Sequence, residues 1–539
     1  MRLLLFALFA SLFLSALAAA IELKPKYAGS TSLTLGLEWD LDSADSGGMH
    51  HLTVFAFPST SFQYTDYNAS DAYTAAADEW GNKRLTFEWP AFQGRKVIVM
   101  DVDAAVDYAG SAEVAANYER YLDASDLVII SPEISAQAAA TVEGSATEFE
   151  KAVRLAEWVH NAVVYDSSLW GRRLDSEQVF NDRRGVCSEY AHLLLAMLRS
   201  QGIPARFVAG FVYSGESWGP HAWVEAVVGG KWVPFDPTFN EAGVLDATHV
   251  KFAQGRDQGD VTEEITEGFA ISKPAVQVTV NEVGAFSLPF KLGALEAPQS
   301  VGAGSLEAMS LSVESKSDAE QAVSLSLNDA PSRPTELAVA IAGDDDRLLY
   351  LPPRGKRSAE WSVAFPVALQ EGFIYNFSFT VNSMGANASV EVQGRKDAAA
   401  NVVESVSIKS LASRLEGNAL TITADLENSG STQAGALVSC TLDGDEKQSS
   451  VQIGVGGRRA VQFVYPLPKN KAIVYGELSV VTQGQTVKQP FQVSLNSPSA
   501  AASAQPAGGD NLPAFAAIAV LVVIAIAVIA KRFRGYEEV

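Results

Sequence analysis

Residues 185–238, GVCSEYAHLLLAMLRSQGIPARFVAGFVYSGESWGPHAWVEAVVGGKWVPFDPT, admit few folds. The first part opens at Cys187, carries Ala191, Leu194, Leu195 and Leu198 at helical spacing, and closes on Gly202 with Pro204 just beyond. The last part is a pair of β-type runs, HAWVEAVV and KWVPFD, joined by Gly229 and Gly230, the signature of a two-residue hairpin turn. Between them RFVAGFVY reads as a buried strand. A helix that begins on a thiol is thus tied through one strand to an antiparallel hairpin, which predicts an α+β domain.

Those positions suit a nucleophile. At a helix start the unpaired amides and the positive end of the dipole favour a thiolate at Cys187, and the same amides can cradle an oxyanion. Gly185 is expected to let the backbone turn sharply before it. In the hairpin, Val228 should face Lys231, Ala226 face Val233 and Val224 face Phe235. The opposite face then carries His221, Trp223, Glu225, Trp232, Asp236 and Thr238. Asp236 comes opposite Trp223 and diagonal to His221, at roughly 7 Å between backbones, within side-chain reach. An aspartate that fixes the histidine tautomer and a histidine that takes the thiol proton follow from this placement.

The runs GVCSEYA, RSQGIPARFVAGF, HAWVE and WVPFDPT resemble the transglutaminase-like superfamily, a papain-fold group that includes transglutaminases, peptide N-glycanases and many microbial proteins regarded as peptidases. The resemblance spans about residues 145 to 240. It implies Cys187 as nucleophile, His221 as base and Asp236 as orienting partner. It also implies a further oxyanion-stabilising side chain, for which Trp170 and Gln178, both upstream of the cysteine, are the candidates. No metal or organic cofactor is implied.

Plainer roles suit the neighbours. His192 reads as a helix-surface or packing residue, and Trp223 and Trp232 as wall or core. Glu189 and Glu225 are either solvated or line the cleft. His50 and His51 have no further His or Cys close in sequence, so a surface turn is expected rather than a metal site. The loop SGESWGP, with Trp218, is placed to form a wall or lid of the cleft.

The rest of the chain reads as delivery and scaffold. Arg2, an apolar run over 3–14 and small residues at 16–20 predict a signal peptide over 1–20. LTLGLEW, HLTVFAF, RLTFEW and KVIVMDV predict an N-terminal β domain over 21–140. A catalytic domain over 141–255 opens with a helix whose capping box is Ser145 and Glu148. Strand rhythm returns in β-sandwich domains at 270–396 and 400–496, which resemble Ig-like surface repeats of prokaryotic proteins, and Cys440 falls in a strand core there. A Ser/Ala/Pro/Gly-rich linker (497–511), an apolar span (512–530) and a tail (531–539) with Lys531, Arg532 and Arg534 complete the chain, placing the tail in the cytoplasm and the bulk outside. Asn68, Asn376 and Asn387 lie in glycosylation sequons.

Forty Lys+Arg against 63 Asp+Glu give a formal net charge of -23, which argues against nucleic acid or anionic lipid surfaces as partners. Two cysteines among 539 residues exclude a disulfide scaffold. The expected fold class is multidomain α+β: a papain-like transglutaminase core flanked by β-sandwich domains, with one C-terminal transmembrane helix. The expected function is a cell-surface thiol enzyme acting on amide bonds of peptide or protein substrates through a thioester, as a peptidase or amidase. A protein-cross-linking transglutaminase is the alternative, and so is a non-catalytic surface binding or stalk protein.

Overall fold

The computed structural model describes residues 28–495, apart from a few short stretches, together with 503–504. The expected signal peptide (1–20) and apolar span (512–530) lie outside the described residues. Among the described residues, no helix is long and apolar enough to cross a membrane.

The chain divides into two compact units, the first running to residue 289 and including Glu320–Ser324. It opens with β1 (Ala28–Ser43), β2 (Met49–Phe55), β3 (Gln63–Ala69), β4 (Tyr73–Ala77), β5 (Lys83–Pro90) and β6 (Gly94–Val106). Strict alternation in β1 buries Leu33, Leu35, Leu37, Trp39 and Leu41, in one core with Leu52, Val54, Leu85 and Phe87. The helical segment follows: α1 (Pro132–Thr141), α2 (Glu148–Ala162), β7 (Val164–Tyr165), α3 (Ser176–Asp182), β8 (Arg184–Gly185) and α4 (Cys187–Ser200). The cap of α2 is Thr147, whose hydroxyl accepts from the Glu150 amide at 3.1 Å, and not Ser145 as expected. Thr147 and Glu150 make the same T-x-x-E pattern two residues on, so sequence alone offered two starts.

The antiparallel sheet comes next, from β9 (Ala205–Tyr213), β10 (Trp218–Val228), β11 (Lys231–Asp236), β12 (Glu241–Ala242) and β13 (Val250–Gly255). Its strand order is β12-β11-β10-β9-β13. Helix α4 is buried on all sides from Cys187 to Arg199, which explains why its sequence is apolar almost all round.

Two further strands, β14 (Glu264–Ile265) and β15 (Phe269–Ala285), return to the opening sandwich, whose sheets are ordered β15-β1-β6-β3 and β14-β2-β5-β4. Strand rhythm alone assigns residues from 270 onward to the next module; β15 instead pairs along β1, Leu33 opposite Val280. Local periodicity identifies a strand but not its distant partner.

The sandwich and the α+β segment share one core, in which Val208, Trp223, Leu245, Ala247 and Val250 pack with the leucines of β1. The free edge of β13 is closed by two side-chain amides from the sandwich. Gln63 takes Lys251 N–H at 2.7 Å and donates to its carbonyl at 2.9 Å, and Asn82 treats Gln254 likewise at 2.8 and 2.7 Å. Each amide imitates one residue of a neighbouring strand, satisfying an edge that would otherwise be open.

In the second unit, residues 290–319 and 325–394 contribute strands to a four-stranded and a five-stranded sheet, and residues 406–504 to a three-stranded and a five-stranded one. Cys440 is buried in the core of the latter pair as a free thiol.

Gly210 on β9 makes the shared core possible. A Cβ there would lie 2.3 Å from the Val250 carbonyl oxygen and 2.5 Å from the Trp223 ring. Gly210→Ala should therefore destabilise the first unit by about 1–3 kcal/mol, the range of an overpacked core. The check is the urea midpoint, which should fall; an unchanged midpoint would show that β13 and Trp223 can part at little cost.

Candidate active site

Helix α4 starts at Cys187, with Val186 extended at its N-cap. Valine offers no capping oxygen, and Glu189 supplies the carboxylate instead. It accepts from the Val186 amide at 3.0 Å, the Ser188 hydroxyl at 3.1 Å and the Leu174 amide at 3.3 Å. Burial pushes the Glu189 carboxyl up from its ordinary value despite these donors. Gly185 lies outside the left-handed region; its role is space, since a Cβ would sit 2.4 Å from Glu189 Cβ. The sharp turn expected there is a close approach instead. Cys187 is 8% exposed and free.

The hairpin has the expected register, Val224 opposite Phe235, Ala226 opposite Val233 and Val228 opposite Lys231. Gly229 and Gly230 both have positive φ, 57° and 76°, as a type I′ turn requires. His221 Nε2 donates to Asp236 Oδ2 at 2.8 Å. The imidazole stacks on Phe239, centroids 4.8 Å apart, and lies beside the Cys187 side chain, close enough for the two to interact electrostatically. With Nε2 committed to the aspartate, Nδ1 is the nitrogen left for the thiol. Burial opposes a charged imidazole, yet Asp236 and Cys187 outweigh it, and His221 is pushed up to about 10. Burial likewise opposes the Asp236 carboxylate, and the imidazoles beside it outweigh that, holding it well below the usual carboxylate range.

Asp236 is saturated. Oδ1 accepts from the Thr238 and Phe239 amides at 2.7 and 3.1 Å. Oδ2 accepts from His221 and also from His249 Nε2 at 3.0 Å. His249, fully buried just before β13, escaped the sequence reading. Its only sequence signal is its place after Asp246 and Thr248, where the Asp246 side chain accepts the Thr248 amide at 2.8 Å in an Asx turn. Behind it lies Glu241 on β12, also buried, whose Oε2 accepts the Asp246 amide at 2.8 Å. Burial pushes the Glu241 carboxyl up to about 7, although His249 opposes this.

His221, Asp236 and His249 place donor atoms within 4.8 Å of one another, a set resembling metal ligands. The hydrogen bonds argue otherwise. Both Nε2 atoms point their protons at the same carboxylate oxygen, so neither directs a lone pair at a common point.

The other expected site residues are distributed more plainly. Trp170 is half exposed, close to Tyr165, whose hydroxyl is raised by burial and by the nearby Cys187. Gln178 is exposed on α3, where its Oε1 accepts the Asp175 amide at 3.1 Å and its own amide bonds Asp175 at 2.9 Å. These contacts are those of a capping box, not of an oxyanion group. His192 is buried against Phe207; Nδ1 faces the Leu174 carbonyl at 3.0 Å, and burial pushes it down to about 4. Glu225 is neither solvated nor cleft-lining: it is buried, receiving Arg206 and Lys251, each at 2.7 Å. Trp223 and Trp232 are core residues, while Trp218 begins β10 rather than a lid. His50 is buried against Phe92 within β2, and His51 is exposed there.

Glu241 yields a pH prediction. Its folded value of about 7 exceeds the unfolded one, so between about pH 4.5 and 7 the native state retains a proton that the unfolded chain releases, and stability falls as pH rises. Glu241→Gln should remove that slope and raise stability at pH 8 by on the order of 2 kcal/mol. Urea midpoints measured from pH 4.5 to 8 for both proteins check this; parallel curves would refute it.

Residues 135–237 match the Transglutaminase-like superfamily. An uncharacterized protein of Mycobacterium leprae (strain TN) is 33% identical over 120 residues, 20% of this chain and 41% of that protein, so the match spans less than half of the curated relative. Among solved structures, a proposed cysteine protease from Cytophaga hutchinsonii is 19% identical, covering 47% of this chain and 91% of that one with a TM-score of 0.38. Red sea bream transglutaminase is 10% identical, covering 87% of this chain and 96% of its own, with a TM-score of 0.16. Cys187, His221 and Asp236 all fall within the residues that match that superfamily.

Proposed function

We propose that the protein is a thiol enzyme that cleaves amide bonds of peptides or proteins through a thioester on Cys187. The observation that carries this reading is the line from Cys187 at the start of α4, through His221, to Asp236 at 2.8 Å. The Cys187 thiolate attacks the amide carbonyl carbon, and the oxyanion forms beside the helix-start amides. The carbon–nitrogen bond breaks as the His221 imidazolium gives its proton to the leaving amine. Neutral His221 then takes a proton from water as it attacks the thioester, releasing the acid and restoring the thiolate. An amine in place of water would make the reaction a transamidation; hydrolysis is preferred because a surface setting offers abundant water.

The apolar span at 512–530 and the basic tail support a membrane-anchored setting with the bulk of the chain outside. The two-sheet modules would then act as spacers between anchor and enzyme.

Trapping tests the reaction. Incubated with a peptide mixture and quenched in acid, the full chain should carry an acyl group on Cys187, released by hydroxylamine and read by mass spectrometry. Cys187→Ala should lose all adduct and turnover while keeping its thermal midpoint within about 2 °C, because the deleted group is small. Asp236→Asn should retain a small fraction of activity with His221 misoriented. Full activity in Cys187→Ala would end the proposal, and a product in which an added amine replaces water would redirect it to transamidation.

A further inference from the structure

Asp236 sits between two imidazoles, and the second has a charge state that its partners dictate. His249 Nε2 lies 3.0 Å from Asp236 Oδ2, and Nδ1 lies 2.9 Å from the Asp246 backbone carbonyl oxygen. Both partners are acceptors only. A neutral imidazole has one protonated and one bare nitrogen, so in either tautomer it would aim a lone pair at an oxygen lone pair in a site closed to water. With a proton on each nitrogen, both contacts become hydrogen bonds.

We infer that His249 is a permanently charged imidazolium and acts as a positioning residue for the Cys187–His221 pair, sharing Asp236 Oδ2 with His221. This rests on the proposed thiol chemistry for its consequence, though not for its geometry. The groups facing His249 are His221 on β10, Asp236 on β11, Glu241 on β12, Asp246 in the preceding loop, and Tyr108 beyond β6, whose hydroxyl donates to the His249 carbonyl at 3.1 Å. Burial opposes the charge, while Asp236 and Glu241 favour it, and the balance raises His249 above its ordinary value.

The second cation changes what Asp236 can do. An aspartate devoted to one histidine would stabilise its imidazolium strongly, leaving a sluggish acid for the leaving amine. Divided between two, Asp236 still fixes the tautomer and plane of His221. The positive charge 5.5 Å away, centroid to centroid, also opposes protonation of His221 and favours the anionic form of Cys187. Removing that charge must move both titrations toward higher pH. A residue that only held Asp236 in place would not have this effect if its hydrogen bond were kept.

Two measurements on the full chain test this. The sequence has six histidines, so nitrogen NMR of imidazole-labelled protein can resolve each. His249, assigned by its loss in His249→Gln, should carry protons on both nitrogens at pH 8; one bare nitrogen there would overturn the inference. The second is the pH profile of Cys187 alkylation, read by peptide-resolved mass spectrometry so that Cys440 does not interfere. Glutamine keeps an N–H for Asp236 without the charge. His249→Gln should displace the profile upward by about one unit, a tenfold change in rate on its rising limb. An unmoved profile in folded His249→Gln protein would overturn the positioning role. The NMR result needs no substrate and no reactive thiol. Absence of any acyl adduct would therefore sink the enzymatic reading and leave the charge of His249 standing, whereas a neutral His249 in an active enzyme would do the reverse.

Discussion

One carboxylate organises the first unit. Asp236 has two oxygens with room for about four hydrogen bonds, and four are made: two from the backbone turn that follows it and two from imidazoles. A buried carboxylate with fewer donors would take up a proton or distort its surroundings. Because the amides of Thr238 and Phe239 fix Oδ1, the direction of Oδ2 is set by the backbone of the turn, and with it the plane of His221. Phe239, which supplies one of those amides, also supplies the ring on which His221 stacks. Tautomer, plane and position of the histidine thus derive from one short segment.

The thiol side is built by a different device. Valine at the N-cap of α4 leaves the helix start without a cap of its own, and Glu189 closes it from within the first turn. That arrangement brings the Glu189 stem against residue 185, where only glycine fits. It also ties Leu174, in the segment before α3, to the helix that carries the thiol. The sandwich serves the site at one remove: Gln63 and Asn82 pin β13, and Tyr108 and the Asp246 turn hold the loop on which His249 arrives.

What was legible in the sequence was what depends on neighbours in the chain. Two glycines and period-two alternation determine a hairpin register, and the register puts Asp236 diagonal to His221. Helical spacing and Gly202 bound α4. What escaped depends on chain segments meeting in space. His249 looks like any histidine before a strand until the loop brings it to Asp236. Glu189 reads as solvated or cleft-lining, and only the fold reveals that it is buried and holds the N-cap amide of α4. Gln178 misled because an amide upstream of a thiol has two uses, and here the nearer one, capping α3, prevails. Residues from 270 onward have the same alternation as the strands after them, so nothing local announces that they belong to β1.

That last pairing determines when this chain can fold. Asn281 bonds Thr34 across 247 residues of sequence, and β1 finds its outer neighbour only in β15. At synthesis rates of about 5–20 residues per second, the first strand waits on the order of tens of seconds for that partner to exist. Loop closure over such a distance also slows folding, because entropy is lost before the contacts that reward it. Until then β1 lacks one of its two neighbouring strands, and the core its leucines share with Trp223 and Val250 is incomplete. The core that holds Trp223 and Val250 beside the sandwich is therefore complete only after nearly all of the first unit has been made.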